Sequence, residues 1–369
     1  NGVERFWAGM TAARSAPVRP DDPYAHVSLP LLYAVPPDEP DSAPGTASRY
    51  AVEAATQAIA DAGLDTAARQ RMAVVVGTGM GDASRYDHWR VDGFPAGDRW
   101  LPAFVVGSEV GERLGATGPN TSISNACAAS GCALSMAADM IRLGEADVVL
   151  AVGAEAYSRV ALACFDRMGA LDPQRCRPFA RDRLGTVFGE GAAALVLEST
   201  EHASARGVST VYARVAGAGW SCDAYHPTAP EPAGTQIARA MADALTDAGA
   251  SVDQVGCVVP HGTGTELNDR IESDAITGVL GMRTPEIPLY SLKALIGHTG
   301  GAAGAMAAVA ATLILHRGTV PGNVTMAEQD PGCAVWLPQA ATPLAGRYAM
   351  INAYAFGGNN ISLVLDGAR

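Results

Sequence analysis

One cysteine and two histidines of this chain lie where a buried strand passes into a turn of small residues. Cys127 follows the strand-like stretch "TSIS" and begins a run of small helix-forming residues, and His261 follows the apolar stretch "CVVP". His298 precedes a second run of small residues. A thiol at a helix N-terminus lies beside unpaired N–H groups and the helix dipole, which stabilise its thiolate. We therefore predict that Cys127 is a nucleophile and that the two histidines, at glycine-flanked turns, belong to the same pocket.

The other cysteines and histidines give no second site. Cys132 lies five residues beyond Cys127, inside the same predicted helix, and is predicted to be a small core residue. The cysteines are an odd set without a CxxC pair, so the sequence predicts neither a disulfide framework nor a metal site, and no cofactor. The five remaining histidines are predicted to lie at the surface: His26, His88, His202, His226 and His316.

Lys293 is the only lysine among the 26 lysine and arginine residues. Codon bias in a GC-rich genome explains a general preference for arginine but leaves the exception open. Lys293 lies in the apolar run "SLKALIGH", five residues before His298. A compact ammonium with three rotatable donors is not interchangeable with a planar guanidinium. Lys293 is therefore either retained by chance or required for function.

The composition indicates an acidic globular protein. With 369 residues, 48% of them hydrophobic, the chain is long enough for two domains or one doubled domain. The net charge of -12 and the pI near 5.0 oppose binding to nucleic acid. No window of about eighteen residues is apolar throughout, and the first residues have no signal-peptide pattern. The sequence therefore predicts a soluble, cytoplasmic protein without a membrane partner.

The chain repeats one α/β unit. An apolar strand ending in a glycine turn, a helix of small residues, and a glycine turn into a last apolar strand recur in the same order. These three features begin in the first half at Ala73, Ser124 and Gly189, and in the second half at Cys257, Gly297 and Gly357. The repeat predicts a pseudo-twofold structure of stacked layers with the two small-residue helices buried at its centre.

The two copies differ at their start. The second half begins with an apolar strand at residues 209–221, and the counterpart of this strand would precede Asn1. Either the first sheet is one strand short or the sequence begins after that strand. The polar residues 199–207 are predicted to be a surface connection. We therefore divide the chain into an N-terminal half, residues 1–200, with the nucleophile, and a C-terminal half, residues 201–369, with both histidines.

Four sequence blocks resemble the signature blocks of the β-ketoacyl-acyl carrier protein synthases, the condensing enzymes of fatty-acid and polyketide assembly. They are "NACAAS" at Cys127, "HGTGTELNDRIESDAI" at His261, "SLKALIGHTGGAAGA" at Lys293 and His298, and "AYAFGGNN" at Phe356. The blocks follow the family's order and spacing, and the resemblance covers the whole chain. It implies the thiolase fold, an α-β-α-β-α stack of layers built from two pseudo-twofold related halves.

The resemblance implies a reaction in two stages. An acyl group passes from an acyl carrier protein to Cys127, and a malonyl group on a carrier protein then loses CO2 and attacks the acyl-cysteine. The N–H groups of His261 and His298 would stabilise the enolate that forms. The backbone N–H groups of Cys127 and Phe356 would form the oxyanion hole, with Gly357 allowing the close approach and the Phe356 side chain acting as a gate.

Supporting roles follow from the same resemblance. Lys293 matches a lysine five residues before the second catalytic histidine and would hold His298. Glu272 matches the family's buried acid and would pair with this lysine, and Asp269 is a second supporting acid. Phe165 matches a position that lines the end of the acyl tunnel near the subunit interface.

The chain also departs from the family pattern. Asn125 stands where threonine is common, and Ala307 stands where fatty-acid members often carry glutamate. Ala180 and Leu184 replace residues that are usually acidic. These departures concern substrate preference more than reaction type. His298 and the block "AFGGNN" oppose the ketoacyl synthase III and thiolase branches, and a modular polyketide synthase would carry a proline-methionine-aspartate block ahead of the nucleophile.

The sequence leaves two subunit arrangements open. The retained nucleophile, histidines and lysine oppose a non-catalytic chain-length factor. Residues 120–126, the strand before the nucleophile, contain no proline and can pair with a second chain. We therefore predict a homodimer or a heterodimer with a chain-length-factor homologue. The acidic acyl carrier protein is predicted to bind at Arg167, Arg175 and Arg177.

Overall fold

The computed structural model describes residues 2–20, 22, 30–36, 46–86 and 102–367. Its α-helices are α1 (Val3–Ala12), α2 (Ala47–Ala62), α3 (Thr66–Arg71), α4 (Phe104–Leu114), α5 (Ala129–Arg142), α6 (Arg159–Arg167), α7 (Thr200–Ala205), α8 (Thr235–Asp247), α9 (Glu266–Leu280), α10 (Lys293–Ile296) and α11 (Ala303–Arg317). Its strands are β1 (Leu32–Tyr33), β2 (Ala73–Gly77), β3 (Asn120–Ile123), β4 (Val148–Glu155), β5 (Phe188–Gly189), β6 (Gly191–Glu198), β7 (Arg214–Cys222), β8 (Val255–Val259), β9 (Thr319–Val320), β10 (Thr342–Pro343), β11 (Tyr348–Ala355) and β12 (Asn359–Asp366). Two of the predicted surface histidines, His26 and His88, lie outside the described residues.

Two mixed sheets follow one plan. The first has the strand order β3-β2-β4-β6, with β2 parallel to β3 and β4, and β6 antiparallel to β4. The second has the order β8-β11-β12-β7, with β11 parallel to β8, and β12 antiparallel to β11 and β7. A bridge between Val258 and Leu289 extends the second sheet at the place that β3 takes in the first. Strands β2, β4 and β6 therefore correspond to β8, β11 and β12, and the predicted repeat is confirmed.

The two small-residue helices, α5 and α11, pack against each other between the sheets. Their closest approach is at two glycines, because a Cβ atom on Gly304 would lie 2.4 Å from the backbone nitrogen of Gly131. Only a residue without a side chain permits this distance. Alanines of both helices and apolar side chains of both sheets form one core cluster around the contact. The central position predicted for these helices is confirmed.

Further helices cover the outer face of each sheet. Helices α2 and α4 pack on the first sheet, and α8 packs on the second with α9 beside it. Along β2, Ala73 and Val75 belong to the central core cluster, whereas Val74 and Val76 belong to the outer one. The strand is apolar at every position because both of its faces are buried. The layers are α-β-α-β-α, which is the arrangement that the family resemblance implies.

The connection between the halves lies at the surface. Residues 199–207 contain α7, none of whose residues is buried. Strand β7 begins the second half and has no counterpart among the described strands of the first sheet. Within the described part of the chain, no helix has both the length and the apolar character needed to cross a membrane.

Candidate active site

Cys127 lies between the edge strand β3 and the central helix α5. The residues Ala126–Ala128 form a 3-10 turn, and α5 begins directly after it at Ala129. Ala126 has a φ angle of 52°, a left-handed conformation that costs a residue with a Cβ atom free energy. Residue types alone gave no sign of this strained turn. It places Cys127, the predicted nucleophile, just ahead of the N-terminus of α5, at the strand-to-helix turn that the sequence predicts.

The structure brings Cys127 and both predicted histidines together. The Nε2 atom of His298 lies 3.0 Å from the Cys127 sulfur. The His261 ring is perpendicular to the His298 ring, with 5.4 Å between the ring centroids. His261 follows β8, and His298 lies between α10 and the 3-10 turn Gly300–Ala302. One cysteine and two buried imidazoles from the two halves therefore form a single cluster.

The tautomer of His261 is set by its neighbours. The backbone N–H of Tyr354 donates to the Nδ1 atom of His261 over 3.3 Å. The Nζ atom of Lys293 lies 3.5 Å from the same nitrogen. A nitrogen that accepts a hydrogen bond carries no proton, so the proton of this imidazole lies on Nε2. His261 is therefore held as a hydrogen-bond donor through Nε2.

Lys293 contacts His261, and its predicted contact with His298 is wrong. Besides approaching Nδ1, its buried ammonium donates to the backbone carbonyl oxygen of His261 at 2.5 Å. Burial lowers the pKa of Lys293, and the negative charge of Glu272 opposes this effect. The sequence distance of five residues to His298 suggested the wrong partner because α10 turns the lysine toward the loop after β8.

Two buried acids of α9 hold the His261 loop by its backbone. The Glu272 carboxylate accepts the N–H groups of His261 and Gly262, each at 2.7 Å. Asp269 accepts the N–H groups of Thr263 and Gly264 at 3.0 and 3.1 Å. Burial raises the pKa of Glu272 to about 7, against the lowering effect of its two backbone hydrogen bonds. Glu272 therefore anchors the loop rather than pairing directly with the lysine.

Burial favours the uncharged forms of Cys127 and of both histidines. Burial holds the pKa of His261 and of His298 well below 6.5, and the positive charge of Lys293 lowers both further. Burial also raises the pKa of the Cys127 thiol to about 12, although Lys293 acts in the opposite direction. Burial therefore opposes the thiolate predicted from the helix start, whereas the charge of Lys293 favours it. The Nε2 atom of His298 lies within hydrogen-bond distance of this thiol.

Three aromatic rings extend from the cluster to the predicted gate. Phe356 follows β11 and precedes Gly357 and Gly358, which have φ angles of 84° and 73°. The Phe356 ring stacks on Phe165, with 5.0 Å between centroids and an angle of 11°. Phe165 in turn meets the edge of Phe188 at 4.7 Å. Phe165 therefore lies beside the gate, and its place at the end of an acyl tunnel stays a prediction.

Glu155, which the sequence analysis missed, joins the two halves beside the cluster. Its carboxylate accepts the N–H groups of Gly79 and Met80 at 2.8 and 3.0 Å, and that of Gly301 at 2.7 Å. The first two belong to the turn after β2, and Gly301 follows His298 in the second half. The available sequence signal was an acid at the end of the buried stretch "VVLAVGAE". Burial raises the pKa of Glu155 to about 7.

The raised pKa of Glu155 predicts a pH dependence of stability. The folded chain binds this proton more tightly than the unfolded chain, so ionisation weakens the fold as the pH rises from about 5 to about 8. We expect the stability of the wild type to fall relative to Glu155→Gln over this interval, by at most about 3 kcal/mol. Thermal unfolding of both proteins at several pH values measures the difference. The control is Glu145→Gln, a change at an exposed glutamate. If the difference in stability between the wild type and Glu155→Gln is the same at every pH, the prediction is contradicted.

One of the predicted carrier-protein contacts is wrong. Arg177 is buried, and its guanidinium donates to Asp172 at 2.6 Å and to Asp182 at 2.5 Å. A buried guanidinium that is paired with the buried Asp172 and the exposed Asp182 is not free to receive an acidic partner. Arg167 is exposed at the end of α6 and Arg175 is half-buried, so both remain predictions.

The other residues singled out from the sequence lie as follows. Cys132 is buried in the central core, where the Asn125 amide donates to its sulfur over 3.2 Å. Ala307 and Ala180 are buried, whereas Leu184 is exposed. Outside the site, His202 lies 2.8 Å from Glu198, and His226 and His316 are exposed.

Two family domains match the chain. Residues 34–203 match the beta-ketoacyl synthase N-terminal domain, and residues 212–327 match the beta-ketoacyl synthase C-terminal domain. The chain therefore belongs to the β-ketoacyl synthase family, and the thiolase fold implied by its sequence blocks is confirmed. It is an acyltransferase that catalyses the condensation step of fatty-acid or polyketide chain extension.

Individual proteins agree with this assignment. The chain is 38% identical over 329 residues to nodulation protein E of Rhizobium meliloti, which covers 86% of the chain and 81% of that protein. It is 36% identical over 336 residues to 3-oxoacyl-acyl-carrier-protein synthase 2 of Vibrio cholerae, with coverages of 86% and 81%. Its structure is similar to the ishigamide ketosynthase/chain length factor, with a TM-score of 0.89, 34% identity, and coverages of 100% and 96%.

Proposed function

We propose that Cys127, His261, His298 and Lys293 are the catalytic residues of this condensation. In the first stage, the Cys127 sulfur attacks the carbonyl carbon of an acyl thioester on a carrier protein. A sulfur-carbon bond to Cys127 forms, the bond to the carrier thiol breaks, and the proton passes from Cys127 through His298 to the departing thiol. The acyl group is then a thioester of the protein.

In the second stage a malonyl thioester loses CO2. The electron pair of the broken carbon-carbon bond forms an enolate, which attacks the acyl carbon on Cys127 and releases the cysteine sulfur as a thiolate. This thiolate takes up a proton from water before the next cycle. Hydrogen bonds from the Nε2 atoms of His261 and His298 stabilise the charge on the enolate oxygen. Backbone N–H groups of Cys127 and Phe356, the second beside Gly357, stabilise the charge that develops on the acyl oxygen.

His298 serves both stages because its tautomer is not fixed. Among the described residues none reaches its buried Nδ1 atom, so the proton can reside on either nitrogen. Nε2 therefore accepts the Cys127 proton in the first stage and donates to the enolate in the second. The neighbouring His261 is restricted to donation, because its Nδ1 atom receives a backbone N–H.

The distance of 3.0 Å between Cys127 and His298, beside a second histidine held as a donor, carries this proposal. Incubation of the protein with a panel of acyl carrier-protein thioesters, followed by intact-mass measurement, tests it. We expect one acyl group per chain, and its loss to a β-ketoacyl product when malonyl carrier protein is added. A protein that neither acquires nor transfers an acyl group would refute the roles assigned to these residues.

Lys293→Arg will impair condensation although the charge is kept. The buried ammonium reaches the Nδ1 atom and the backbone oxygen of His261 together, and a wider planar guanidinium displaces the imidazole from this position. We expect a loss of about tenfold or more in kcat, since a misplacement near 1 Å costs up to about a hundredfold. Steady-state condensation with malonyl carrier protein measures it. Wild-type turnover by the variant would show that condensation does not require a lysine at this position.

The proposed partners are an acyl carrier protein and a second ketosynthase-like chain. One relative acts, by its name, on acyl-carrier-protein substrates, and a structural neighbour is a ketosynthase/chain length factor. Strand β3 lies at the edge of the first sheet and pairs there only with β2 among the described strands. We assign the open edge of β3 to the subunit contact and the exposed Arg167 to carrier-protein binding.

We expect the protein to be a dimer, with itself or with a chain-length-factor homologue. A twofold axis at the middle of β3 brings the central residues of the strand near their own copies, so Thr121→Arg places like charges close together and should weaken the dimer. Light scattering at micromolar concentration measures the mass of both forms. Thr56→Arg, on the exposed face of α2, is the control and should leave the mass unchanged. A stable, active wild-type monomer would refute the prediction.

The proposed location and domain division follow from the same chemistry. All seven cysteines are free thiols, including the nucleophile, which suits the reducing cytoplasm. The two matched family domains meet between residues 203 and 212, and this supports a division into residues 1–200 and 201–369.

A further inference from the structure

The imidazole of His298 lacks the hydrogen bond that usually orients a catalytic histidine. A histidine is commonly held by a partner on its second ring nitrogen, as Tyr354 holds His261 here. No described residue takes this part for the Nδ1 atom of His298. The position of its ring beside the Cys127 sulfur must therefore come from packing.

Strand β5 and the residue before it hold His298 through backbone hydrogen bonds and through the packing of one side chain. The N–H of His298 donates to the carbonyl oxygen of Val187 at 2.8 Å, and the N–H of Gly189 donates to the carbonyl oxygen of His298 at 3.0 Å. Between these two residues, the Phe188 ring lies parallel to the His298 ring, with an angle of 4° and 5.9 Å between centroids. This geometry is an offset stack.

The Phe188 ring is itself fixed. Only 9% of the residue is exposed, and it forms a small core cluster with Leu32 and Leu162. The Phe165 ring meets it edge-on, with an angle of 85° between the two planes. Because these neighbours enclose the Phe188 ring, it keeps one orientation and the same face stays against the imidazole.

We propose that Phe188 is a positioning residue that holds the His298 imidazole against the Cys127 sulfur by ring stacking. An aliphatic side chain fills the same space but offers no flat face, so the imidazole gains freedom to rotate away from the sulfur. The inference rests on the proposed roles of Cys127 and His298, and it adds the residue that keeps them in contact.

The test compares the variants Phe188→Leu and Phe188→Tyr with the wild type. The first removes the ring and keeps an apolar side chain, and the second restores the ring. The rate of Cys127 alkylation by iodoacetamide at neutral pH is followed by peptide mapping, because Cys164 and Cys222 are also exposed. The kcat and KM for condensation and the thermal midpoint are measured on the same samples.

We expect Phe188→Leu to lower the alkylation rate and kcat by about three- to tenfold, the equivalent of one aromatic stack, with KM unchanged. Phe188→Tyr should recover both rates. Phe165→Leu, which removes the edge contact with Phe188 and also the stack on Phe356, should show a smaller loss of the alkylation rate, and it provides a second variant for that measurement if Phe188→Leu folds poorly. Phe6→Leu, a matched loss of a half-buried ring on α1, should change neither rate.

Three results would overturn the inference. They are wild-type alkylation and kcat in Phe188→Leu, an equal loss in Phe6→Leu, and failure of Phe188→Tyr to recover. The alkylation comparison requires no condensing activity. A wild type that does not condense, combined with slow alkylation of Phe188→Leu, would therefore refute the proposed function while supporting the positioning role.

Discussion

Cys127→Ala will show no acylated form after incubation with any acyl carrier-protein thioester, and condensation will fall to background. The sulfur of Cys127 is the atom that carries the acyl group between the two stages, and alanine offers no substitute. Cys132→Ala should acylate like the wild type. Cys132 lies within the central core, five residues further along and inside α5, and contacts the Asn125 amide instead of a histidine.

Intact-mass measurement at several times after mixing checks both variants. The Cys132 variant controls for the loss of a thiol from the same segment of chain, since both side chains are small. Equal acylation of the two variants would show that the 3-10 turn ahead of α5 does not carry the nucleophile.

His261→Ala and His298→Ala will each reduce malonyl decarboxylation by about a hundred- to a thousandfold, the usual cost of removing one donor to a developing oxyanion. The enolate-stabilising roles that the family resemblance implies for both histidines predict that acyl transfer survives better than decarboxylation in either variant. The structure separates them, because only His298 contacts the Cys127 sulfur. We therefore expect His298→Ala to slow acyl transfer as well, and His261→Ala to leave it nearly intact.

Two assays on each variant distinguish these outcomes: release of CO2 from malonyl carrier protein, and the rate of acylation by intact mass. The exposed His316→Ala, on α11 but distant in sequence from the loop of His298, is the control and should behave like the wild type in both. Undiminished CO2 release by either active-site variant would show that this histidine does not take part in decarboxylation. Equal acylation rates in the two variants would contradict the proton transfer assigned to His298.

The sequence by itself determined the layered fold, the internal repeat and the identity of the three central residues. Local patterns in the sequence predict these features: strands that are apolar at every position, helices rich in glycine and alanine, and glycine turns at the strand ends. The contact of Gly131 with Gly304 at the centre depends on small residues that are visible in the sequence of each helix. Cys127, His261 and His298 could be assigned because the repeat brings equivalent turns together.

Only the tertiary structure decided which groups these residues touch. Lys293 contacts His261 although it is nearer in sequence to His298, and Arg177 is buried and paired with Asp172 and Asp182 instead of facing a partner. Glu155 binds backbone groups of both halves, and Phe188 stacks on His298 from a two-residue strand. None of these contacts has a local pattern, because each depends on the direction of a side chain across elements that are distant in sequence. The physical reason is that hydrogen bonds and ring contacts are short-ranged, so their partners are defined only once the layers are packed.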